Sequence, residues 1–204
     1  LHVRSRRQRQ MCIRDRQEEV MELPIYVYGT EVLREKTREV TEEEFPSLGK
    51  LIENMFETMY ASDGVGLAAP QVGKAIRLFV VDADPLGDDF PDSKGFKKVF
   101  INPTITAYSE ESCTMQEGCL SLPGLNENVD RPKQITIKYL DEQMVPHEES
   151  YSGFNARVIQ HEYDHLEQTL FTDRVNPMRK AMIKRKLQKM SRGQVRAHYK
   201  VITK

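Results

Sequence analysis

The most informative segment for the fold is QHEYDH at residues 160–165, which holds two of the five histidines in the chain. On a helix, His161 and His165 stand one turn apart on the same face, so both imidazoles can reach one metal ion. Glu162 lies about 100° further round the helix, where it can take a proton from an activated water and return it to a leaving group. Apolar residues flank the motif, and an unpaired cluster of this kind would be costly in a partly buried helix. The spacing therefore favours a metal site over an accidental pair of surface histidines.

Two histidines are too few for a metal site, so a third ligand is needed. A peptidase that takes a glutamate from a later helix is disfavoured, because Glu167 and Asp173 are the only acidic residues after His165. The upstream candidates are Cys119, Cys113, His147 and the carboxylates. Cys119 is the best of these, since Gly118 beside it lets the backbone approach closely. A thiolate with two imidazoles leaves a fourth position open, which is typical of catalytic rather than structural sites.

A second informative segment is GVGLAAPQ at residues 64–71. It lacks the lysine and serine of a phosphate-binding loop, and it follows a predicted helix rather than a strand. Its small residues would let the backbone run close to a metal centre or an extended substrate, and the amide of Gln71 could stabilise an oxyanion. Taken alone, the segment favours a simpler interpretation, a tight helix-to-strand turn with a solvated glutamine.

Composition places the chain among globular proteins. Its 204 residues are 39% hydrophobic and 30% charged, which is wrong for a disordered chain. No apolar run approaches the roughly 20 residues that a membrane span needs, and no segment has the pattern of a secretory signal. The three cysteines argue against a disulfide scaffold and are typical of reduced thiols. We therefore expect a cytoplasmic protein of one domain, or one domain with a tail.

Charge is distributed unevenly along the chain, although the formal net charge is only −1. Residues 1–20 carry a net charge of +3, residues 21–173 carry −15, and residues 174–204 carry +11 without any acidic residue. The basic tail indicates either a polyanion partner such as RNA or a solvated helix face that keeps the protein soluble. Residues 1–20 lack apolar periodicity and precede a second start at Met21. We predict that they are a non-native or disordered extension, with an organelle transit peptide as the alternative.

Hydrophobic periodicity predicts helices at residues 48–60, 155–168 and 177–190. Strands are predicted at residues 76–82, 99–106, 135–140 and 148–152, with a further terminal strand at 195–203. The order of one helix, several strands and then helices indicates an α+β fold with mostly antiparallel sheets. These sheets are expected to pack around the central metal-binding helix that carries the HExxH motif.

Three segments, taken together, resemble the peptide deformylase family. They are residues 64–71, residues 117–121 (EGCLS) and residues 161–165 (HEYDH), in the family's order and spacing. The similarity extends over about residues 23–175. It implies a catalytic domain over residues 21–175, followed by a basic C-terminal helix and tail over 176–204. The implied activity is hydrolysis that removes the formyl group from the N-terminal formyl-methionine of nascent chains and releases formate.

The resemblance implies a cofactor and its ligands. The cofactor is one divalent metal ion, Fe(II) in the cell, for which Zn(II), Ni(II) or Co(II) can substitute. The implied ligands are Cys119, His161 and His165. Glu162 is implied as the general acid and base of the reaction.

The resemblance also implies how substrate is bound. The implied oxyanion donors are the side-chain amide of Gln71 and the backbone N–H of Leu120. Backbone around Gly66 would pair with the substrate peptide as an added strand. Val158, one turn before His161, would line the pocket for the methionine side chain.

The same resemblance bears on partners and on one departure from the family pattern. Deformylases act where nascent chains leave the ribosome, so nascent formyl-methionyl peptides are the expected partners and the basic tail is expected to contact ribosomal RNA. A monomer without a membrane partner is expected. Gln168 stands where the family usually has glycine, so the helix is expected to end without that glycine.

Two other functions fit parts of the sequence. An HExxH-type metallopeptidase would cleave internal peptide bonds, but the chain lacks the later acidic ligand that such an enzyme needs. A non-catalytic ribosome-binding relative would be indicated by the loss of a catalytic group. Cys119, Glu162 and both histidines are all present, which favours the enzyme.

Overall fold

The computed structural model describes residues 20–203, so the extension predicted at residues 1–20 lies outside the described residues except for Val20. The strands are β1 (Ile25–Tyr26), β2 (Gly66–Ala68), β3 (Leu78–Asp82), β4 (Lys97–Tyr108), β5 (Ser112–Gly118), β6 (Asn126–Pro132), β7 (Gln134–Leu140), β8 (Pro146–Ser152) and β9 (Val201–Ile202). The helices are α1 (Phe45–Ala61), α2 (Gly153–Leu166), the single turn α3 (Phe171–Arg174) and α4 (Pro177–Ser191). All three predicted helices are present, and so are the four strands predicted between residues 76 and 152, with ends that differ by a few residues.

The strands form three sheets. The main sheet has five antiparallel strands in the order β2-β3-β4-β7-β8, and β5 pairs with β6 in a separate antiparallel hairpin. The short strands β1 and β9 pair in parallel. The predicted combination of helices with mostly antiparallel sheets is therefore confirmed, with this one parallel pair as the exception.

Helix α1 covers one face of the main sheet. Met55 and Met59 are fully buried in a cluster that includes Leu67 of β2 and Leu78 of β3. The apolar spacing that predicts this helix is the spacing that faces the sheet. After the helix ends, Asp63 adopts a left-handed φ of 56° and the chain enters β2.

Helix α2 covers the opposite face of the same sheet. Phe79 and Val81 alternate with the residues of β3 that face α1, because neighbouring residues of a strand point to opposite faces. Ala156 and Ile159 of α2 are fully buried in that second cluster. This packing buries the HExxH residues of α2 beneath the edge strand β2.

Helix α4 packs through a third apolar cluster. Ile183, Leu187 and Met190 are buried with Leu122 and Val129 of the β5–β6 region. One core therefore contains residues from both sides of position 175, and the division of the chain there stays a prediction. No helix within residues 20–203 combines the length and the apolar character that crossing a membrane requires.

The sequence pattern does not predict the β5–β6 hairpin, and it overestimates the terminal strand. Both hairpin strands are rich in polar residues, and their inward positions include Glu117 and Arg131, so the alternation of apolar and polar residues is missing. The terminal strand is confined to Val201–Ile202 instead of residues 195–203, because its partner β1 is also only two residues long.

Gln168 follows α2 in a conformation that favours glycine. Its φ is +58°, in the left-handed region where a Cβ atom costs about 1 kcal/mol. The backbone is held there, since Thr169 N donates to Asp164 O at 2.8 Å and Arg34 Nη1 donates to Gln168 O at 2.7 Å. The chain thus makes this turn without the family's glycine, at a cost in backbone strain.

Gln168→Gly is expected to raise the free energy of unfolding by about 0.5–1 kcal/mol, because glycine reaches this φ without strain. Urea unfolding of the metal-free protein measures the change. Gln168→Ala is the control, since it removes the same side chain but keeps the Cβ atom. Equal stabilisation by both variants would show that the backbone is not the source.

Candidate metal centre

Three predicted ligands converge in the structure. Cys119 Sγ lies 3.3 Å from His165 Nε2, although the two residues are 46 positions apart. The donor atoms of Cys119, His161 and His165 all lie within 4.8 Å of one another. Cys119 comes from the loop after β5, while both histidines come from adjacent turns of α2. Two other upstream candidates lie elsewhere, Cys113 against Arg157 and His147 against Asp141.

The chemistry of these groups fits a divalent cation. His161 Nδ1 lies 2.9 Å from Glu117 Oε2, and a carboxylate can only accept, so the proton belongs on Nδ1 and Nε2 is left to bind a metal. Burial alone would lower the pKa of His161, but hydrogen bonds with Cys119 and Glu117 raise it well above its ordinary value. Burial and the neighbouring His161 lower the pKa of His165 well below its ordinary value. The pocket is therefore suited to one positive charge beside the Cys119 sulfur. A metal cation bound to all three groups would supply that charge.

Glu162 is buried beside the three donor atoms. Its Oε2 atom has no hydrogen-bond partner within residues 20–203. Burial raises the pKa of this carboxyl to about 7, more than the neighbouring His161 lowers it. A carboxyl group with a pKa near neutrality can both take up and give back a proton at physiological pH.

Gly66 of β2 leaves the space that Glu162 occupies. A Cβ atom on Gly66 would lie 2.5 Å from Glu162 Oε1, closer than any van der Waals contact allows. A side chain at this position would therefore displace the buried carboxylate across from it.

Gln71 is buried, so the interpretation of a solvated glutamine is wrong. The side chain is only 1% exposed, and its Oε1 atom accepts a hydrogen bond from Ala68 N at 2.8 Å. This bond fixes which end of the amide faces the site. Nε2 donates to Ser121 Oγ at 3.2 Å and lies 3.5 Å from Cys119 Sγ. The N–H donors of Gln71 are thereby held beside the predicted metal ligand.

A network of buried charges supports His161 from behind. Arg131, 1% exposed, donates to Glu117 through Nε at 2.6 Å and to Asp164 through Nη1 at 2.7 Å. Arg157 Nη1 donates to Glu117 Oε1 at 2.8 Å. Burial raises the pKa of Glu117, but hydrogen bonds from Arg131 and His161 outweigh it and hold the pKa far below its ordinary value. Glu117 is therefore an anion that orients the imidazole of His161.

Glu117 lies in the EGCLS motif, but the motif predicts no role for it or for the two arginines. Charged residues are usually exposed, and nothing local in the sequence distinguishes Arg131 from a surface arginine. The only available signal is the position of Glu117, two residues before Cys119, which places both near the same point of the chain. Glu117 and Arg131 come together through the pairing of β5 with β6. In that pairing the residue directly opposite Arg131 is Cys113, so the strand register alone does not predict the contact with Glu117.

Cys119 and His161 line a cleft of about 690 Å³. Its walls include Gly66, Leu120 and Val158, which are the predicted substrate and oxyanion residues. Residues 196–199 of the C-terminal tail also line it. No motif in the sequence links this tail segment to the site. Of the eight predicted site residues, seven therefore line this cleft, and His165 lies behind it with its Nε2 atom 3.3 Å from Cys119 Sγ.

The site combines two imidazoles one helical turn apart, a thiol in reach of both, and a carboxyl group of raised pKa at an open cleft. This combination is typical of metal-dependent hydrolases.

Comparison with known proteins supports this class of enzyme. The family model described as Polypeptide deformylase matches residues 22–181. The peptide deformylases of Christiangramia forsetii and Flavobacterium psychrophilum are 46% and 48% identical over 188 residues, covering 89% of this chain and 95% and 96% of those proteins.

Solved structures show the same relationship. The peptide deformylase of Thermotoga maritima superposes with a TM-score of 0.69 at 41% identity, covering 76% of this chain and 99% of its own. That of Plasmodium falciparum superposes with a TM-score of 0.74 at 36% identity, covering 83% and 95%. The chain therefore belongs to the polypeptide deformylase family, metal-dependent enzymes that remove the formyl group from the N-terminus of nascent polypeptides.

Glu117→Gln is expected to lower the free energy of unfolding of the metal-free protein by about 3 kcal/mol at neutral pH, because it removes the anion that buried Arg157 and Arg131 share and leaves Arg131 with Asp164 alone. Urea unfolding measures this loss. Glu111→Gln is the control: Glu111 pairs with Lys133 on the surface, and the change should cost less than about 1 kcal/mol. Similar losses in both variants would contradict the role of the buried network.

The same variant should change how stability depends on pH. The pKa of Glu117 is lower in the folded protein than its ordinary value of 4.5, so its contribution is fully present above that value and is lost as pH falls toward the folded pKa. The difference between wild type and Glu117→Gln should therefore shrink as pH is lowered from about 5. A difference that stays constant over this range would show that Glu117 does not carry the charge.

Proposed function

We propose that Cys119, His161 and His165 hold one divalent metal ion on α2 and at the end of β5. The observation that carries this proposal is the convergence of their donor atoms within 4.8 Å, together with the bond from His161 Nδ1 to Glu117 that leaves Nε2 free. Ligands of this kind accept Fe(II), Zn(II), Ni(II) and Co(II). We propose Fe(II) in the cell, on the family resemblance. When bound, the metal would act as a Lewis acid toward water and the formyl oxygen.

We propose that Glu162 is the general acid and base. Its carboxyl group lies beside the donor atoms, has a free Oε2 atom and has a pKa of about 7. As a carboxylate it would take the proton of the attacking water, and as the acid it would give that proton to the departing amine. The products are formate and a peptide with a free N-terminal methionine.

We propose that Gln71 Nε2 and the backbone N–H of Leu120 stabilise the negative charge that develops on the formyl oxygen. Gln71 is suited to this role because Ala68 N binds its Oε1 atom and orients the N–H groups toward Cys119. Leu120 directly follows Cys119 in the wall of the cleft. The Gln71 amide is held before substrate arrives, so the transition state needs little reorganisation there.

We propose that the formyl-methionyl peptide binds as a strand along β2. β2 is the edge strand of the main sheet, and Gly66 in it lines the cleft, so its backbone can pair with an extended peptide. Val158 is buried in the same wall, one turn before His161. It is placed to contact the methionine side chain. Family membership favours this reaction over cleavage of internal peptide bonds and over a non-catalytic role.

We also propose that the protein acts in the cytoplasm at the ribosome, as a monomer, and that α4 contacts ribosomal RNA. Lys184, Arg185 and Lys189 of α4 are exposed and make no ion pair within residues 20–203. Lys186 also projects from α4, where its ammonium group donates to Gly124 O. Unpaired cations along one helix are available to phosphate groups.

Glu162→Ala is expected to keep the metal but to lower turnover of a formyl-methionyl peptide by about 100-fold or more, because the proton acceptor is lost. Formate release under anaerobic conditions gives the rate, and metal analysis of the same sample gives the occupancy. Glu57→Ala, on the exposed side of α1, is the control and should match wild type in both. Turnover within a few-fold of wild type would remove Glu162 from this role.

Reversing the charge of Lys184, Arg185 and Lys189 is expected to weaken ribosome binding and to lower the slope of log affinity against log salt by about 2. The control reverses three exposed lysines elsewhere, Lys36, Lys74 and Lys94. Sedimentation with ribosomes at several salt concentrations gives the affinities. Equal effects of the two triple variants would contradict a specific contact through α4.

A further inference from the structure

The C-terminal tail returns to the catalytic cleft after α4. Gly193 reverses the chain with a φ of +79°, and Gln194 N donates to Lys189 O at 3.0 Å. β9 then pairs with β1, where Ile25 N donates to Lys200 O at 2.9 Å and Val27 N donates to Ile202 O at 3.0 Å. This return segment, residues 192–202, lies beyond residues 22–181 that match the family model.

One side chain of the return segment bonds to the backbone that carries the predicted metal ligand. The hydroxyl of Tyr199 donates to Leu120 O at 2.7 Å. Leu120 lies between Cys119 and Ser121, and these three residues form the site loop. Tyr199 is partly buried and lines the cleft together with the site loop. Its hydroxyl is thus placed at the site without being aimed at the three donor atoms.

The site loop is held from two other directions. Tyr28 N donates to Ser121 O at 2.8 Å, and Gln71 Nε2 donates to Ser121 Oγ at 3.2 Å. Tyr28 follows β1, the strand that pairs with β9. The small β1–β9 sheet therefore fixes two consecutive carbonyl groups of the site loop, one through Tyr28 and one through Tyr199.

We propose that Tyr199 is a positioning residue for the site loop, which rests on the oxyanion role proposed above for the Leu120 N–H. The Tyr199 hydroxyl fixes the peptide group between Leu120 and Ser121. The neighbouring peptide group, between Cys119 and Leu120, carries the N–H that is to meet the formyl oxygen. A bond that fixes one of these planes restricts the other, so the hydroxyl sets the direction of an oxyanion donor. This interaction matters most in the transition state, where the charge on the oxygen is largest.

Tyr199→Phe removes the hydroxyl and keeps the ring. The variant is expected to lower kcat for a formyl-methionyl peptide by about fivefold to tenfold, the usual effect of one lost hydrogen bond, with KM within about twofold of wild type. Tyr108→Phe is the matched control, because Tyr108 is 54% exposed and lies on β4. It should match wild type in kcat and KM.

A second readout does not require the metal or turnover. In the metal-free protein, Cys119 should react several-fold faster with iodoacetamide in Tyr199→Phe than in wild type, because the site loop opens more often. Cys113 lies on β5 and is the internal control, with both thiols quantified by mass spectrometry of their peptides. A general loss of stability would raise both rates, whereas a freed site loop raises that of Cys119 alone.

The outcomes separate this inference from the proposed function. A lower kcat at unchanged KM, with faster reaction of Cys119 alone, supports the positioning role. Unchanged kcat, or equal acceleration at Cys113 and Cys119, overturns it. If wild-type protein with bound metal releases no formate, the proposed function fails, and the ratio of the two thiol rates still decides whether Tyr199 holds the site loop.

Discussion

The carboxylate of Glu117 lies between the guanidinium groups of Arg131 and Arg157 and the imidazole of His161, almost out of reach of water. Burying so much charge is costly unless every group is paired, so the arrangement tolerates little displacement. It ties the β5–β6 hairpin to α2, and it selects the tautomer of His161. The hairpin also delivers Cys119. One buried anion therefore links the folding of the hairpin to the geometry of the proposed metal centre.

Burial of α2 has a second consequence for the chemistry. The helix is packed beneath the main sheet, so Glu162 is removed from water and its pKa rises to about 7. Helix α2 also lies so close to β2 that a Cβ atom at position 66 would collide with the Glu162 carboxylate, which explains the glycine there. Strand β2 can lie this near to α2 because Gly66 and Ala68, its residues on that side, are small. The edge of the sheet is thereby left as a wall of the cleft, available to an extended peptide.

The small β1–β9 sheet connects the two ends of the described chain to the site. It joins the start of the catalytic region to residues beyond the match to the family model, and the neighbouring Tyr28 and Tyr199 bond to the loop of Cys119, Leu120 and Ser121, as Gln71 does. Helix α4 leads the chain back to this point and is fixed by its own apolar stripe. The tail thus has two faces with different chemistry, a basic outer surface and an inner segment that borders the cleft.

Features that depend on short spacing could be predicted from the sequence: the helix that places His161 and His165 one turn apart, the adjacent Glu162, and the segregation of charge. Helical periodicity carries that information over a few residues. Only the tertiary structure decided that Cys119 meets those imidazoles and that Glu117 is a buried anion. It also brought Tyr199 to the cleft. These contacts join residues tens of positions apart, and they are decided by how the sheets pair and what they bury, which no local pattern records.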